Sequence, residues 1–256
     1  MNPLLREVRL FWTALTLLTR LPAPRLNAFE PDWLPRSVPW FPVVGLLVGL
    51  LAGGLYVLTA FFWRDPVPAV LALSVAALVT GGFHEDGWAD VFDALGAGGD
   101  RTRMLEVMKD SRIGATGALA LILLVAGKLA GLFALPAADV PAALVAAHVL
   151  SRWATLPLLR WLPAARAEGG LATPLIGHVT SGRFLAGTLT ALLLAVAALR
   201  QEALSAILVT VLVTALSGLF FRRRLGGVTG DCLGATQQLV ELAVLLTLAA
   251  GLPFLS

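Results

Sequence analysis

Three aspartates dominate the chemistry this sequence can offer. In Gly81-Gly82-Phe83-His84-Glu85-Asp86-Gly87-Trp88-Ala89-Asp90-Val91-Phe92-Asp93, the residues Asp86, Asp90 and Asp93 stand at i, i+4 and i+7. A helix would carry all three carboxylates on one face. Stacked like charges repel, and no cation follows at i+3 or i+4 of this face before Arg101. Such a face should attract something positive. Oxygen ligands without cysteine suit a hard cation, Mg2+ or Mn2+, and Mg2+ is usually held by few carboxylates with substrate phosphates completing its shell. A solvated acidic face just outside a membrane would show the same pattern.

Two further segments could work with it. In Glu106-Val107-Met108-Lys109-Asp110-Ser111-Arg112-Ile113-Gly114, Lys109 and Arg112 flank Asp110. Arg offers phosphate a planar fork and Lys a point charge, although basic residues at this place also anchor a membrane helix on the cytoplasmic side. In Thr229-Gly230-Asp231-Cys232-Leu233-Gly234-Ala235, glycines around an acid at a helix start suit close backbone approach to a ligand. Cys232 reads as a small packing residue, and as the sole cysteine it forms no internal disulfide. Lys128, His148, Arg152 and Arg160 fall within or near apolar runs, where ionisable groups are costly. His148 and Arg152 share a helix face. Arg160 sits where it could snorkel, and Lys128 where it could pair inside a bundle.

The elements that must position these groups are membrane helices. The chain has 256 residues, 58% hydrophobic and 14% charged, against about 25% charged in an ordinary soluble domain. Its apolar runs are continuous, which argues for helices rather than the alternating strands of a barrel. The runs predict an all-α, polytopic integral membrane bundle of about seven transmembrane helices, near Trp40–Trp63, Val67–Phe83, Gly114–Leu135, Pro141–Leu162, Phe184–Leu199, Ala203–Phe221 and Leu239–Leu255. The second is short and should continue as helix past Phe83. An amphipathic stretch with Leu4, Val8, Phe11, Trp12, Leu15 and Leu18 predicts an N-terminal interfacial helix. No small-x-small cleavage site follows it, so the segment is expected in the mature chain. Neither repeat nor linker divides residues 1–256, and one membrane-embedded domain is expected.

Connections alternate in character. Those after the first, third and fifth runs are short and hold only Arg64 and Arg200 as basic residues. The other set is rich in arginine: Arg101, Arg103, Lys109 and Arg112, then Arg166 and Arg183, then Arg222, Arg223 and Arg224. Basic loops stay inside, so the acidic face is expected at the cytoplasmic side of the membrane. The net charge of +3 is not a nucleic-acid signal, because no basic stripe is interleaved with aromatic residues. Carboxylates, nearby cations and a membrane together point to metal-assisted phosphoryl transfer on a pyrophosphate.

The motifs together resemble the cobalamin synthase (adenosylcobinamide-GDP ribazoletransferase) family. The matching pieces, in family order, are Leu18-Thr19-Arg20-Leu21-Pro22-Ala23-Pro24, Phe41-Pro42-Val43-Val44-Gly45, Gly81-Gly82-Phe83-His84 with Asp86, Gly87, Asp90 and Asp93, Met104 to Gly114, Ser151-Arg152, Ala165-Arg166 with Glu168-Gly169, and Thr229 to Ala235 with Glu241. The chain departs from the family pattern at Glu85 (usually apolar), Ala94 (usually Gly) and Gln238 (often Glu). Glu85 should point away from Asp86, and Gln238 puts a catalytic role at its own position in doubt.

The resemblance implies an enzyme that joins adenosylcobinamide-GDP to α-ribazole, or its 5′-phosphate, giving adenosylcobalamin (or its phosphate) and GMP. Mg2+ is the implied cofactor and the lipid bilayer the implied setting. A homo-oligomer, or association with other enzymes of nucleotide-loop assembly, is compatible with this reading. Carried onto this chain, Asp86, Asp90, Asp93 and Asp231 are the expected metal ligands. Asp93 is the expected general base, by analogy with membrane alcohol phosphotransferases, with Asp90, Lys109 and Arg112 also in the catalytic set. Lys109, Arg112, Arg152 and Arg166 are expected to neutralise phosphate charge, and His84, Asp110, Ser111, Thr229 and Gly230 to contact substrate. Two other readings compete. A CDP-alcohol phosphotransferase would carry Arg where Asp90 stands. A cation or solute transporter would line its path with the same acids, but the runs show no mirrored second half.

Overall fold

The computed structural model describes residues 3–24, 32–166 and 170–251. They form α1 (Pro3–Leu18), α2 (Trp33–Ser37), α3 (Phe41–Ala60), α4 (Val67–Thr80), α5 (Phe83–Ala97), α6 (Arg101–Val107), α7 (Ala115–Ala134), α8 (Val140–Trp161), α9 (Ser181–Leu199), α10 (Ala203–Leu225) and α11 (Gly230–Ala249). No strand occurs among the described residues, only an isolated bridge between Ala164 and Val228. Five helical stretches are long and apolar enough to cross a membrane, or six if α4 and α5 together count as one. The protein is a polytopic helical membrane protein.

One of the five, Ser181–Leu225, spans 45 residues, about 67 Å at 1.5 Å per residue, and cannot be a single crossing. It breaks at Arg200, the one described non-glycine residue with positive φ (52°). Gly187 on α9 packs against Leu156, and Gly218 on α10 against Leu158, one turn of α8. The two helices therefore run back along each other beside α8.

The centre of the bundle is the α3–α8 pair. Gly45, Gly49 and Gly53 form a stripe one turn apart. A Cβ on Gly45 would lie 2.3 Å from the His148 carbonyl oxygen, on Gly49 2.6 Å from the Val145 Cα, and on Gly53 3.1 Å from the Pro141 Cα. Small residues let membrane helices approach backbone to backbone where burial of apolar surface supplies little drive. The stripe fixes α8, which carries His148, Ser151 and Arg152, antiparallel against α3.

Two of the expected runs differ from the structure. The second does not continue straight: α4 ends at Thr80, and Gly81 and Gly82, at φ 70° and 69°, turn the chain into α5 at 90° to α4. Side-chain-bearing residues rarely take that conformation. The turn is held from outside by Arg20, whose N–H donates to the Val79 carbonyl at 2.7 Å and whose side chain lies where a Cβ on Gly81 would be. At right angles to a crossing helix, α5 is not itself a span. The last run begins early, because α11 starts at Gly230 and holds Gln237, Gln238 and Glu241 inside the bundle; residues 252–256 lie outside the described set. In α1, Leu10, Thr13, Ala14, Leu15 and Leu18 are buried and Leu4, Leu5 and Val8 exposed, so the buried face keeps Leu15 and Leu18 of the expected stripe but not Leu4 and Val8.

Candidate active site

The acidic helix meets the start of α11 through glycine. A Cβ on Gly87 would stand 2.9 Å from the Asp231 carbonyl oxygen and 3.0 Å from its Cα, and one on Gly234 would stand 3.2 Å from the His84 carbonyl oxygen. This close crossing places Asp231 beside the residues flanking Gly87 on α5. Thr229 caps α11, its hydroxyl accepting from the Cys232 N–H at 3.3 Å and donating to Asp231 Oδ2 at 3.1 Å. The cap is steadied by the preceding chain: Ala165 N–H donates to the Val228 carbonyl and Val228 N–H to that of Pro163, both at 2.9 Å. The same pairing delivers Arg166, whose Nη2 lies 3.6 Å from Asp231 Oδ2 and 3.1 Å from the Leu105 carbonyl. Arg101 braces this corner by donating to the Leu225 and Ala165 carbonyls.

The result is a chamber whose lining includes Asp86, Arg166, Thr173, Thr229, Gly230 and Asp231. Asp90 lies behind Asp86 and half-buried. Its carboxyl is pushed up to about 7, by burial first and then by Asp231, Asp86 and Asp93, with Arg166 pulling the other way. Four acids thus act on one another with one arginine among them, the electrostatics of a site short of positive charge.

Asp93 is turned elsewhere. Its Oδ2 accepts from the Gly114 N–H and its Oδ1 from the Gly117 N–H, both at 2.7 Å. Those amides are the unpaired donors at the start of α7, so the carboxylate caps a helix distant in sequence and sits at its positive end. Gly117 is required there, since a Cβ would lie 2.4 Å from Asp93 Oδ2. The expectation that Asp93 is a metal ligand and base is corrected accordingly: both of its oxygens already accept backbone hydrogen bonds.

Arg152 also departs from expectation. It is 2% exposed and donates to Glu241 Oε1. Glu241 further accepts from Lys128 at 2.6 Å and Ser151 at 3.2 Å, with His148 Nδ1 at 3.0 Å. One carboxylate holds two cations and an imidazole inside the bundle, as intramembrane charges require. The Arg152 charge is spent there, not on a phosphate in the chamber. Lys109, Ser111 and Arg112 stand exposed on the α6–α7 connection. Arg112 forks onto Asp110 through Nη2 to Oδ2 at 2.6 Å and Nε to Oδ1 at 3.0 Å, and those bonds hold the Asp110 carboxyl down at about 2. The structure does not bring Lys109, Ser111 or Arg112 into the chamber lining. Glu168 and Gly169 lie outside the described residues. His84 is buried beneath α11 at the chamber's inner edge.

Sequence reasoning missed Gln237, which is fully buried with both side-chain polar atoms unpaired; a polar residue two turns into an apolar helix was the available signal. It also missed Thr173, which lines the chamber.

The sequence model of the cobalamin-5-phosphate synthase family matches residues 10–249. The chain belongs to this family. Its relatives include an adenosylcobinamide-GDP ribazoletransferase of Polaromonas sp., 40% identical over 98% of this chain and 100% of that protein. Another, from Leptothrix cholodnii, is 41% identical over 99% of this chain and 100% of the relative. A third, from Escherichia coli, is 38% identical over 94% and 99%. No solved structure matches the chain. Family membership sets aside both the phospholipid-synthase and the transporter readings.

As a cation site, the chamber fits only an open kind of coordination. No three His, Cys, Asp or Glu groups among the described residues converge on one point. Asp86 and Asp231 do share the cavity, beside an electrostatically crowded Asp90. Two carboxylates with room for phosphate oxygens is the arrangement Mg2+ favours, since it keeps waters and substrate oxygens in its shell.

Proposed function

We propose that this chain joins adenosylcobinamide-GDP to α-ribazole or its 5′-phosphate, releasing GMP, in the nucleotide-loop step of cobalamin synthesis, with Mg2+ as cofactor. The observation that carries the reading is the chamber in which Asp86 and Asp231 face Arg166 at the foot of α11, in a chain of this family.

In the reaction, a ribose hydroxyl oxygen bonds to the phosphorus that carries the aminopropanol arm. The bond from that phosphorus to the bridging oxygen breaks, and GMP leaves with the electron pair. Asp86 and Asp231 would hold Mg2+, which when bound would neutralise charge on the pyrophosphate. Asp90 is the base we assign to the hydroxyl proton. Burial and the neighbouring acids raise its carboxyl in the metal-free chain, and Mg2+ on Asp86 and Asp231 would lower it again; the assignment therefore rests on its position one turn from Asp86 on the acidic face of α5. Asp93 does not bind substrate in this scheme; it locks α5 to α7 and keeps Asp90 in place. Arg166 faces the departing phosphate. Thr229, Gly230 and the free N–H groups at the start of α11 offer hydrogen bonds to an anion. Lys109 and Arg112, on a connection pinned to Asp93 through Gly114, draw the anionic substrate toward the mouth.

The chamber shares its end of the bundle with Arg101 and the start of α11, and Arg222, Arg223 and Arg224 end α10 close by. Positive residues favour the cytoplasmic side, so this end is assigned to the cytoplasm and the protein to the inner membrane. The test is conversion of adenosylcobinamide-GDP and α-ribazole to adenosylcobalamin and GMP by detergent-purified protein, with and without Mg2+. Metal-dependent release of one GMP per corrinoid product supports the reading. Product formation unaffected by chelator would remove the metal, and no product at all would remove the reaction.

A further inference from the structure

A second cavity opens from the inner edge of the chamber. It shares Phe83, Leu171, Ala172 and Gly230 with the chamber. Elsewhere its walls are mainly apolar, with Leu18, Phe41, Leu159, Leu175 and Leu233 among them. Three polar side chains interrupt this lining, His84, Gln237 and Thr155, of which Thr155 already donates its hydroxyl to the Arg152 carbonyl at 2.8 Å. His84 is 3% exposed and Gln237 0%. Neither Nδ1 nor Nε2 of His84, nor Oε1 nor Nε2 of Gln237, has a hydrogen-bond partner in the structure. Buried polar atoms are nearly always paired, and those that are not call for a water, an ion or a ligand as explanation. Here the unpaired atoms come from two helices and converge on one cavity.

We propose that this slot receives the aromatic base of the ribazole, with His84 and Gln237 as its hydrogen-bonding partners. The proposal rests on the reaction assigned above and adds where the nucleophilic substrate lies. A fused benzimidazole is flat and largely apolar, with one free ring nitrogen that accepts a single hydrogen bond. Leucine and phenylalanine walls with a donor at the end match that inventory. The other groups in the reaction match it poorly. Guanine presents several donors and acceptors along its edges and would leave most of them unpaired against this lining, and a corrin is far too large. The ribose attached to the base would lie at the junction, beside Gly230 and Phe83. Its hydroxyls, each donor and acceptor, can take up the remaining capacity of Gln237 and present an oxygen toward Asp86 and Asp231. One substrate thereby spans both cavities, its base in the apolar slot and its reacting hydroxyl in the charged chamber.

The experiment uses the full-length, detergent-purified chain and reads α-ribazole binding by calorimetry without the second substrate, alongside KM for each substrate. Gln237→Leu keeps the volume and removes both polar atoms. It should weaken α-ribazole binding and raise its KM about tenfold, the loss of about one hydrogen bond, while KM for adenosylcobinamide-GDP stays about the same. Leu175→Phe narrows the slot without touching a polar group. It should weaken α-ribazole binding more than that of the riboside of unmethylated benzimidazole. Unchanged α-ribazole binding in both variants, each shown to be folded, would mean that the slot holds water and would overturn the proposal. So would a rise confined to the adenosylcobinamide-GDP KM. Absence of transfer by the wild-type chain would strike the reaction instead, since the slot is judged on α-ribazole binding alone.

Discussion

Replacing Gly87 by Ala tests whether the crossing of α5 and α11 builds the site. The new Cβ would lie 2.9 Å from the Asp231 carbonyl oxygen and 3.0 Å from its Cα. Both are backbone atoms that cannot rotate away. Reaching the 3.4 Å at which ordinary contact begins requires an opening of about 0.5 Å at this point, and overpacking of this kind costs about 1–3 kcal/mol. The displaced atoms belong to Asp231 itself, so the gap between Asp231 and the α5 carboxylates widens directly. A misplacement of about 1 Å can cost about 100-fold in rate, and half of that, with exponential dependence, suggests a loss of about tenfold in GMP release. The matched control is Gly54→Ala, whose Cβ would meet nothing within 4 Å. There the better helix propensity should leave stability equal or about 0.5–1 kcal/mol higher. Both variants are assayed in membranes for GMP release and, once purified, for thermal unfolding. If Gly87→Ala retained the activity of Gly54→Ala, the close approach would not be what assembles the acids.

Two further outcomes separate charge that is used from charge that is structural. Asp86→Asn should abolish transfer and leave thermal stability equal or higher, because Asp86 is exposed and faces like charges. Asp93→Asn should lower stability by about 1 kcal/mol, the usual cost of a weakened helix cap, since one of the two amides at the start of α7 loses its anionic acceptor; equal melting temperatures for the two variants would contradict the assignment. Glu241→Gln should destabilise the protein by about 3–5 kcal/mol, by leaving Lys128 and Arg152 buried without a counter-charge. The check is thermal unfolding in detergent together with yield in the membrane fraction, and near-normal values in both would show that water reaches the cluster.

The local patterns were legible because each depends on residues close in sequence. Apolar runs gave the helices, and the spacing of Asp86, Asp90 and Asp93 gave a common face. What could not be read was how that face is divided. Asp93 looks equivalent to Asp86 until α7 arrives with two free amides, and the partner that claims it lies more than twenty residues away. Arg152 was misjudged for the same reason: on its own helix it has no acid within reach, and Glu241 comes from α11. The 90° turn was present as Gly81-Gly82 but was overridden by the apolar run leading into it. Arg20, far from it in sequence, serves that turn.

Glu85 and Gln238 lie far apart in the sequence and are in contact in the structure. Gln238 Nε2 donates to Glu85 Oε1 at 3.1 Å, and Gln238 Oε1 accepts from Lys128. The amide thus relays between an acid on α5 and the buried cation of α7. A glutamate at position 238 would set a negative charge directly against that cation. Here the carboxylate stands one side chain further out, and an amide links the two. The pair should therefore be exchangeable together and not singly. Gln238→Glu alone sets a carboxylate against Glu85, and Glu85→Leu alone strands the Gln238 N–H groups and removes a nearby charge of the sign Lys128 favours. The double variant sets a second carboxylate beside Lys128, next to Glu241, with an apolar neighbour in place of Glu85. In a double-mutant cycle read by thermal unfolding, the coupling should be about 1–3 kcal/mol in favour of the pair, the range for residues sharing one network. Strictly additive effects would mean that the contact carries no energy.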